Sequence, residues 1–267
     1  MTSSELETPP LDTARRLAED GDLEGAAAIL TELAADPDGP DRAQAAVGLA
    51  VVLEERGDVE GARAAARTAL ATGHPEFAAQ AACHLAQGFE REGRAEQARG
   101  AWQAVLGVGT PAYVPLAHLA LARLAAEADD YDEAESALRS AAEVAGDDDE
   151  LRVHAAQQLA DLLLERGEPG AAAEVLLEAL GSAPPDSVAR LRVQLGIAHL
   201  ELACAEFAQA VDDGGDAATS GLAIELLART LPLRGRLDDA DRVWAYGLDH
   251  EDEALAGEVR LRHDRDT

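Results

Sequence analysis

The sequence contains no lysine and no asparagine, and all 22 basic residues of its 267 are arginines. Methionine, phenylalanine and tyrosine are also scarce, at one, three and three residues. Because all these residue types have A/T-rich codons, their scarcity predicts a bacterial origin in a high-GC genome. Aromatic residues make up only 3% of the chain. Together with sparse β-branched residues, this disfavours strands and predicts an all-α fold.

Positively charged residues are few relative to acidic ones, since 22 arginines against 52 acidic residues give a net charge of -30. Such a surface repels phosphate backbones and anionic lipid headgroups, so we expect neither nucleic acid nor a membrane as partner. Cysteine is limited to Cys83 and Cys204, which fall in predicted helices far apart in sequence. This is not a disulfide framework, and we expect both thiols to be reduced.

Long apolar runs are missing as well. No stretch of about 18 apolar residues occurs, and the first twenty residues lack the basic and apolar regions of a signal peptide. We therefore expect a cytoplasmic protein. Residues 1–10 (MTSSELETPP) are polar and end in two prolines, which predicts a disordered tail.

One repeated device dominates the rest of the chain. The segment Glu54 to Ala69 (EERGDVEGARAAARTA) places a turn glycine, and a small alanine five residues later, between two helix-forming runs. We call that alanine the turn alanine, the helix before the turn the first helix, and the helix after it the second helix. The device occurs seven times, at Gly21 with Ala26, Gly57 with Ala62, Gly93 with Ala98, Asp129 with Ala134, Gly167 with Ala172, Ala203 with Ala208 and Gly235 with Ala240. The turn alanines step by 36, 36, 36, 38, 36 and 32 residues, a periodicity typical of stacked helical repeats.

A second feature recurs in register, because a leucine and a small residue precede each turn alanine from the second repeat onward. The pairs are Leu49-Ala50, Leu85-Ala86, Leu121-Ala122, Leu159-Ala160, Leu195-Gly196 and Leu227-Ala228. Small residues at these positions let two helix backbones approach closely. Trp102 and Trp244 each follow a turn alanine by four residues. On these residues, the chain resembles the tetratricopeptide repeat (TPR) family over about residues 11–248.

This resemblance implies a right-handed α-solenoid of stacked helical hairpins, with about seven repeats over residues 11–248. Residues 249–267 are predicted to form a capping helix and a charged tail. The sixth repeat is degenerate, because Gly214-Gly215 cut its second helix short and Ala210 competes with Ala208 for the turn position. Two outcomes remain open for it: a stunted second helix, or one long helix running through Val211.

Signatures of catalysis and phosphate binding are absent from the sequence. Gly107-Val108-Gly109 lacks the third glycine and the preceding strand of a dinucleotide site. His250-Glu251 lacks the second histidine of a zinc-protease helix. Acidic runs at 147–150 and 212–216 do not match the spacing of a calcium loop. We therefore predict no enzymatic activity, no cofactor and no metal.

Three histidines need separate consideration. His84, His118 and His154 are spaced by 34 and 36 residues, which places them at similar heights on neighbouring first helices. A ladder of imidazoles could bind a metal or sense pH. The spacing guarantees no further ligand, so we expect isolated histidines that satisfy local hydrogen bonds.

The first helices of TPR arrays line a concave groove, and the residues predicted to face it form the candidate binding site. Over 24 such positions in the second to seventh repeats, three arginines oppose Asp161 and Glu225, a net charge of +1. We call the candidate residues the inner strip: Gln80, His84, Gln87, Arg123, His154, Gln157, Gln158, Asp161, Arg190, Gln194 and Arg229. Glutamates instead occupy a predicted rim, at Glu54, Glu55, Glu90, Glu127, Glu165 and Glu201.

Two interpretations fit this charge distribution. Exposed positions of an acidic protein carry Glu and Asp for solubility alone, without any binding role. Alternatively, a strip of Gln, His and Arg hydrogen-bonds peptide backbone and carboxylates. The sequence accordingly predicts a non-enzymatic scaffold or adaptor that binds a partner protein or peptide along the groove. A self-assembling homodimer, a receptor for a short signalling peptide and, more remotely, an α/α enzyme are the alternatives.

Overall fold

The computed structural model describes residues 9–264, and its regular elements there are all helical. The α-helices, numbered α1 to α14, are Pro10–Glu19, Leu23–Ala35, Arg42–Glu55, Val59–Ala71, Pro75–Arg91, Ala95–Val108, Val114–Ala126, Tyr131–Val144, Asp149–Glu165, Pro169–Ser182, Pro185–Asp213, Ala217–Thr230, Leu237–Leu248 and Glu253–His263. A short 3-10 helix, Leu231–Arg234, lies between α12 and α13. Residues 9–264 contain no strand, so the prediction of an all-α fold built from helical hairpins is confirmed.

The turn of each hairpin follows from local chemistry, as the one between α3 and α4 shows. Gly57 adopts a left-handed conformation with φ of 79°, which an L side chain rarely takes. The backbone N–H of Asp58 then donates to the carbonyl of Leu53 (2.8 Å), closing the end of α3. The Asp58 carboxylate accepts from the backbone N–H of Gly61 (2.9 Å), which caps α4. Stop and start signals therefore lie side by side.

The turn alanines occupy the crossings of paired helices. Six of the seven are at most 5% exposed: Ala26, Ala62, Ala98, Ala134, Ala172 and Ala240. The small residues of the first helices are buried with them, at Ala50, Ala86, Ala122, Ala160 and Ala228. A larger side chain at either place would force the helix axes apart. The predicted packing role of these residues is confirmed at all these positions.

The chain forms two compact units, Met1–Ala155 (unit 1) and Ala156–Thr267 (unit 2). In unit 1, α1 to α8 pair as four consecutive hairpins, and α2, α4 and α6 also pack against the first helix of the next hairpin. Phe89 and Trp102 are the bulky members of a core made mainly of alanine and leucine. Most of the predicted disordered tail, residues 1–8, lies outside the described residues, and Pro10 already begins α1.

Helix α7 begins later than the sequence indicates. The sequence places Pro111 where a helix could begin, since proline is favoured in the first turn, but α7 starts at Val114, with Pro115 in its first turn. The hydroxyl of Thr110 donates to the carbonyl of Pro75 (2.5 Å), which holds the preceding residues as a turn. Proline is favoured in the first turn of a helix, and here Pro115 rather than Pro111 occupies that turn.

Unit 2 contains the exception to the hairpin pattern. Helix α11 runs unbroken for 29 residues, so the long-helix alternative for the sixth repeat is confirmed. Ala203 stands where most other repeats have glycine, and Cys204 stands where three have a capping aspartate. With neither a stop nor a start signal, the helix continues until Gly214, whose φ is 69°.

The last helices of unit 2 pack against one another. Helix α12 packs against α11, α13 and α14. The predicted C-terminal helix is present as α14, whose Leu255 and Val259 are buried together with Ile224. Both cysteines are free and buried, as expected. Among residues 9–264, no helix is long and apolar enough to cross a membrane.

We predict that Ala98→Leu and Ala134→Leu each lower the free energy of unfolding by about 1 to 3 kcal/mol, because both alanines are fully buried at a helix crossing. Urea denaturation followed by circular dichroism measures this loss. Ala64→Leu, at an exposed position of α4, is the matched control and should leave the free energy of unfolding nearly unchanged. Equal stability of all three variants would show that the crossings have room for a larger side chain.

Candidate partner-binding surfaces

In unit 1, the inner strip is held by contacts between neighbouring first helices. His84 on α5 lies 2.9 Å from a carboxylate oxygen of Glu54 on α3, measured from its Nε2. The same carboxylate pairs with Arg91, also on α5. Glu54 therefore connects two successive hairpins and anchors one residue of the inner strip.

A second connection centres on Glu90 of α5. One oxygen of its carboxylate accepts from the indole Nε1 of Trp102 (2.8 Å) and from Nη2 of Arg123 on α7 (2.6 Å). Arg123 also donates from Nη1 to Glu127, one helical turn further on (3.0 Å). Arg123, a predicted binding residue, thus already lies between two carboxylates.

These contacts add one feature to the sequence interpretation. In unit 1, the predicted glutamate rim and the inner strip are in direct contact. Glu54 and Glu90 contact His84 and Arg123, because side chains one repeat apart face each other across neighbouring first helices. The charge of Arg123 is balanced by Glu90 and Glu127.

The three histidines have different surroundings. His84 pairs with Glu54, whereas His118 is half-buried, and desolvation lowers its pKa below the ordinary value. His154 is exposed on α9. In the described part of the chain, no three His, Cys, Asp or Glu residues are grouped so that they could hold a metal ion.

In unit 2, an amide chain joins α9 and α11. Gln157 is buried, and its Nε2 donates to Oε1 of Gln194 (2.7 Å). Gln194 in turn donates from its own Nε2 to Oδ1 of Asp161 (3.2 Å). Desolvation raises the pKa of Asp161 above its ordinary value, although the hydrogen bond from Gln194 opposes the shift. Three predicted inner-strip residues are therefore in one hydrogen-bonded chain.

The two arginines of the inner strip in unit 2 differ. Arg229 pairs with Glu225 on the same helix (2.9 Å), and Glu225 also binds Arg262 of α14 (3.0 Å). Arg190 is exposed on α11 and has no ion-pair partner among residues 9–264. Its guanidinium is therefore available to a carboxylate of a partner.

The remaining predicted residues are three glutamines. Gln80 and Gln87 lie on α5, and Gln158 lies on α9. Gln80 donates a hydrogen bond to Glu76 (2.8 Å), whereas Gln87 is exposed.

Sequence reasoning missed a cleft of about 430 Å³ in unit 2. We call it the open slot, and its lining residues are Leu164, Gly167, Pro169, Glu201, Cys204, Ala205, Ala208, Leu227, Leu231, Arg236, Asp239, Arg242 and Val243. The turn alanine Ala208 is only half-buried there, unlike the other six. Ala203 at a turn position was the signal that could have revealed it.

We predict that Glu90→Ala lowers the free energy of unfolding by about 1 to 3 kcal/mol, because it leaves the buried indole N–H of Trp102 without its acceptor. Glu127→Ala is the control, since the Glu127 side chain is 59% exposed and its pair with Arg123 spans a single helical turn. Its effect should stay within about 0.5 kcal/mol. Chemical denaturation measures both losses; equal losses would contradict the structural role of Glu90.

Asp161→Asn tests the amide chain through pH. Because the folded-state pKa of Asp161 is raised above 3.8, the wild-type chain loses stability as pH rises from 3.8 through the folded pKa. Asparagine cannot ionise but still accepts from Gln194. We expect the variant to be more stable than wild type at pH 7, with a difference that shrinks toward pH 3.8. Urea midpoints across this range measure it. Asp241→Asn, on an exposed part of α13, should show no such trend.

Comparison with known proteins assigns the repeats. A tetratricopeptide repeat matches residues 11–81, and a tetratricopeptide repeat-like domain matches residues 107–192. No curated protein matches the chain as a relative.

Solved structures share the fold at low sequence identity. A tetratricopeptide repeat protein from Parabacteroides merdae ATCC 43184 is similar with a TM-score of 0.50 and 16% identity, over 95% of this chain and 97% of that one. The apo form of RapI is similar with a TM-score of 0.53 and 12% identity, over 96% and 98%. The Naa15/Naa10 complex bound to HypK-THB gives 0.52 and 17%, over 96% of this chain and 38% of that one. Residues 11–81 thus match the tetratricopeptide repeat family, residues 107–192 match a tetratricopeptide repeat-like domain, and the solved structures share the fold.

Proposed function

We propose that the chain is a non-enzymatic scaffold or adaptor that holds a segment of a partner protein against the inner strip. Tetratricopeptide repeats generally serve protein–protein interaction, and two parts of the chain match them. The availability of Arg190 indicates which kind of partner segment would bind. Arg190 presents a guanidinium with no ion-pair partner among the described residues, one helical turn from Gln194 and its hydrogen-bonded chain.

Arg190 and Gln194 are four residues apart on α11, so they share one face of the helix. A guanidinium can bind a carboxylate through two parallel hydrogen bonds, and these are stronger than neutral ones. The amide of Gln194 is fixed by Gln157 and Asp161, which limits its rotation before a partner arrives. A partner segment that places Asp, Glu or a C-terminal carboxylate at Arg190 fits this arrangement.

Arg123 is predicted to bind a carboxylate of the partner, but in the structure it is bound to carboxylates of the chain itself. Glu90 and Glu127 already accept its hydrogen bonds, so a partner carboxylate would have to displace one of them. We therefore assign the strong charged contact to Arg190.

The experiment selects peptides from a random display library on the wild-type chain and measures their affinity by calorimetry. Arg190→Ala should weaken binding of the selected acidic peptides by about 2 to 5 kcal/mol, the usual cost of removing one partner of a desolvated charge pair. Arg192→Ala is the matched control, because Arg192 is exposed on the same helix, two residues away and on a different face. It should change affinity little.

Two results would count against this function. Equal losses for Arg190→Ala and Arg192→Ala would mean that peptides respond only to overall charge. Selection of basic peptides that lose affinity with Glu174→Ala or Glu178→Ala would instead place binding on the exposed face of α10.

A further inference from the structure

The open slot occupies the place where a second helix is missing. In unit 1, the second helices α2, α4 and α6 each pack against their own first helix and the next one, as α6 does against α5 and α7. In the sixth repeat, the corresponding pair is α11 and α12. The floor of the open slot is formed by Cys204, Ala205 and Ala208 of α11 and by Leu227 of α12.

The walls of the open slot agree with this interpretation. One wall is the beginning of α10, at Pro169, and the other is the beginning of α13, from Asp239 to Val243. Helices α10 and α13 are the second helices of the fifth and seventh repeats. The vacancy thus lies between the two neighbours that a sixth second helix would have.

The open slot continues into a smaller cleft of about 250 Å³. The two share Ala208, Leu227, Arg242 and Val243, and the smaller cleft adds Val211, Ile224 and Tyr246. Most of these side chains are apolar. Together, the clefts follow α11 from Glu201 to Asp212, about 17 Å along the helix axis. This length matches the neighbours α10 and α13, which have 14 and 12 residues.

Charge along the two clefts leaves carboxylates unpaired at one end. In the open slot, both lining arginines, Arg236 and Arg242, already bond to Asp239. Asp212, which lines the smaller cleft at the far end, has no ion-pair partner within residues 9–264. Asp213, the last residue of α11, is exposed and has no ion-pair partner within the same residues. A partner that carries basic residues beside its apolar face would complement these two carboxylates.

We propose that the open slot binds an amphipathic, basic α-helix of a partner protein, about 12 to 14 residues long, which completes the sixth hairpin in place of the missing second helix. Its apolar face carries alanine- and leucine-sized side chains, as the chain's own second helices do. Helix-in-groove binding of this kind uses i, i+3, i+4 and i+7 contacts. This surface is distinct from the inner strip, so it does not depend on the function proposed above.

The chain's own sequence supplies the probe. A labelled synthetic peptide with residues 169–182 (PGAAAEVLLEALGS), capped at both ends, has the apolar face of α10 and two glutamates. A second peptide carries Glu174→Arg and Glu178→Arg, which reverses the charge and keeps the apolar face. Fluorescence anisotropy measures the binding of each to the full-length chain. We expect the arginine peptide to bind at least about tenfold more tightly than the glutamate peptide.

Two tryptophan variants locate the binding site. Ala205→Trp fills the open slot from an exposed position, so it should preserve the fold and weaken binding of the arginine peptide at least about tenfold. Ala189→Trp, exposed on the same helix about 24 Å away, should leave binding unchanged. Circular dichroism melts check that both variants fold like the wild type.

A second measurement does not depend on a bulky substitution. In a Cys83→Ser background, Cys204 is the sole thiol and lies on the floor of the open slot. Saturating arginine peptide should slow its reaction with a thiol reagent at least several-fold. Three results would overturn the proposal: no saturable binding of the arginine peptide, equal binding by the Ala205→Trp variant, or a wild-type dimer that this substitution dissociates. The last would identify a second copy of the chain as the occupant.

Discussion

The structure depends on the close approach of paired helices at the turn alanines. An alanine side chain contributes little apolar area, so a core of alanines is stable only when many crossings repeat along the chain. That repetition requires each hairpin to turn at the same place, which the left-handed residues at Gly57, Asp129 and their equivalents ensure. Close packing and turn geometry are therefore two parts of one constraint.

Small side chains fit together in many ways, and a smooth alanine surface does not fix the register of one hairpin on the next. Charged side chains supply that specificity in unit 1. Arg63 is nearly buried, binds Glu60 and Glu92, and lies 5.0 Å from the ring centroid of Phe89. Hydrogen bonding to Arg63 lowers the pKa of Glu92, so this contact is present above the ordinary Glu pKa and is lost as pH falls through the lowered pKa. A similar ion pair joins Arg99 to Glu133 in the next repeat.

Much of the fold could be predicted from the sequence, because turn residues and alanines act locally. Helices α2, α4 and α13 each begin two residues after a turn glycine, so the repeated pattern alone locates their first residues. Contacts between repeats could not be predicted. Whether Glu90 faces solvent or Arg123 depends on the rotation between successive hairpins, and no local pattern encodes that angle. The open slot could be predicted only in part. Ala203 at a turn position predicts that the hairpin turn does not form, but the cleft depends on where the neighbouring helices lie.

Five ion pairs that join neighbouring hairpins share one chemical property. The ion pairs of Arg63, Arg91, Arg99, Arg123 and Arg234 all use guanidinium groups. Because the chain has no lysine, none of these cations can be acetylated or conjugated to ubiquitin through a side-chain amine. Enzymes that modify lysine therefore cannot loosen the connections between repeats. Covalent loosening of these connections would have to act on the guanidinium groups themselves, for example by methylation, which keeps the charge but blocks bidentate hydrogen bonding, or on their carboxylate partners.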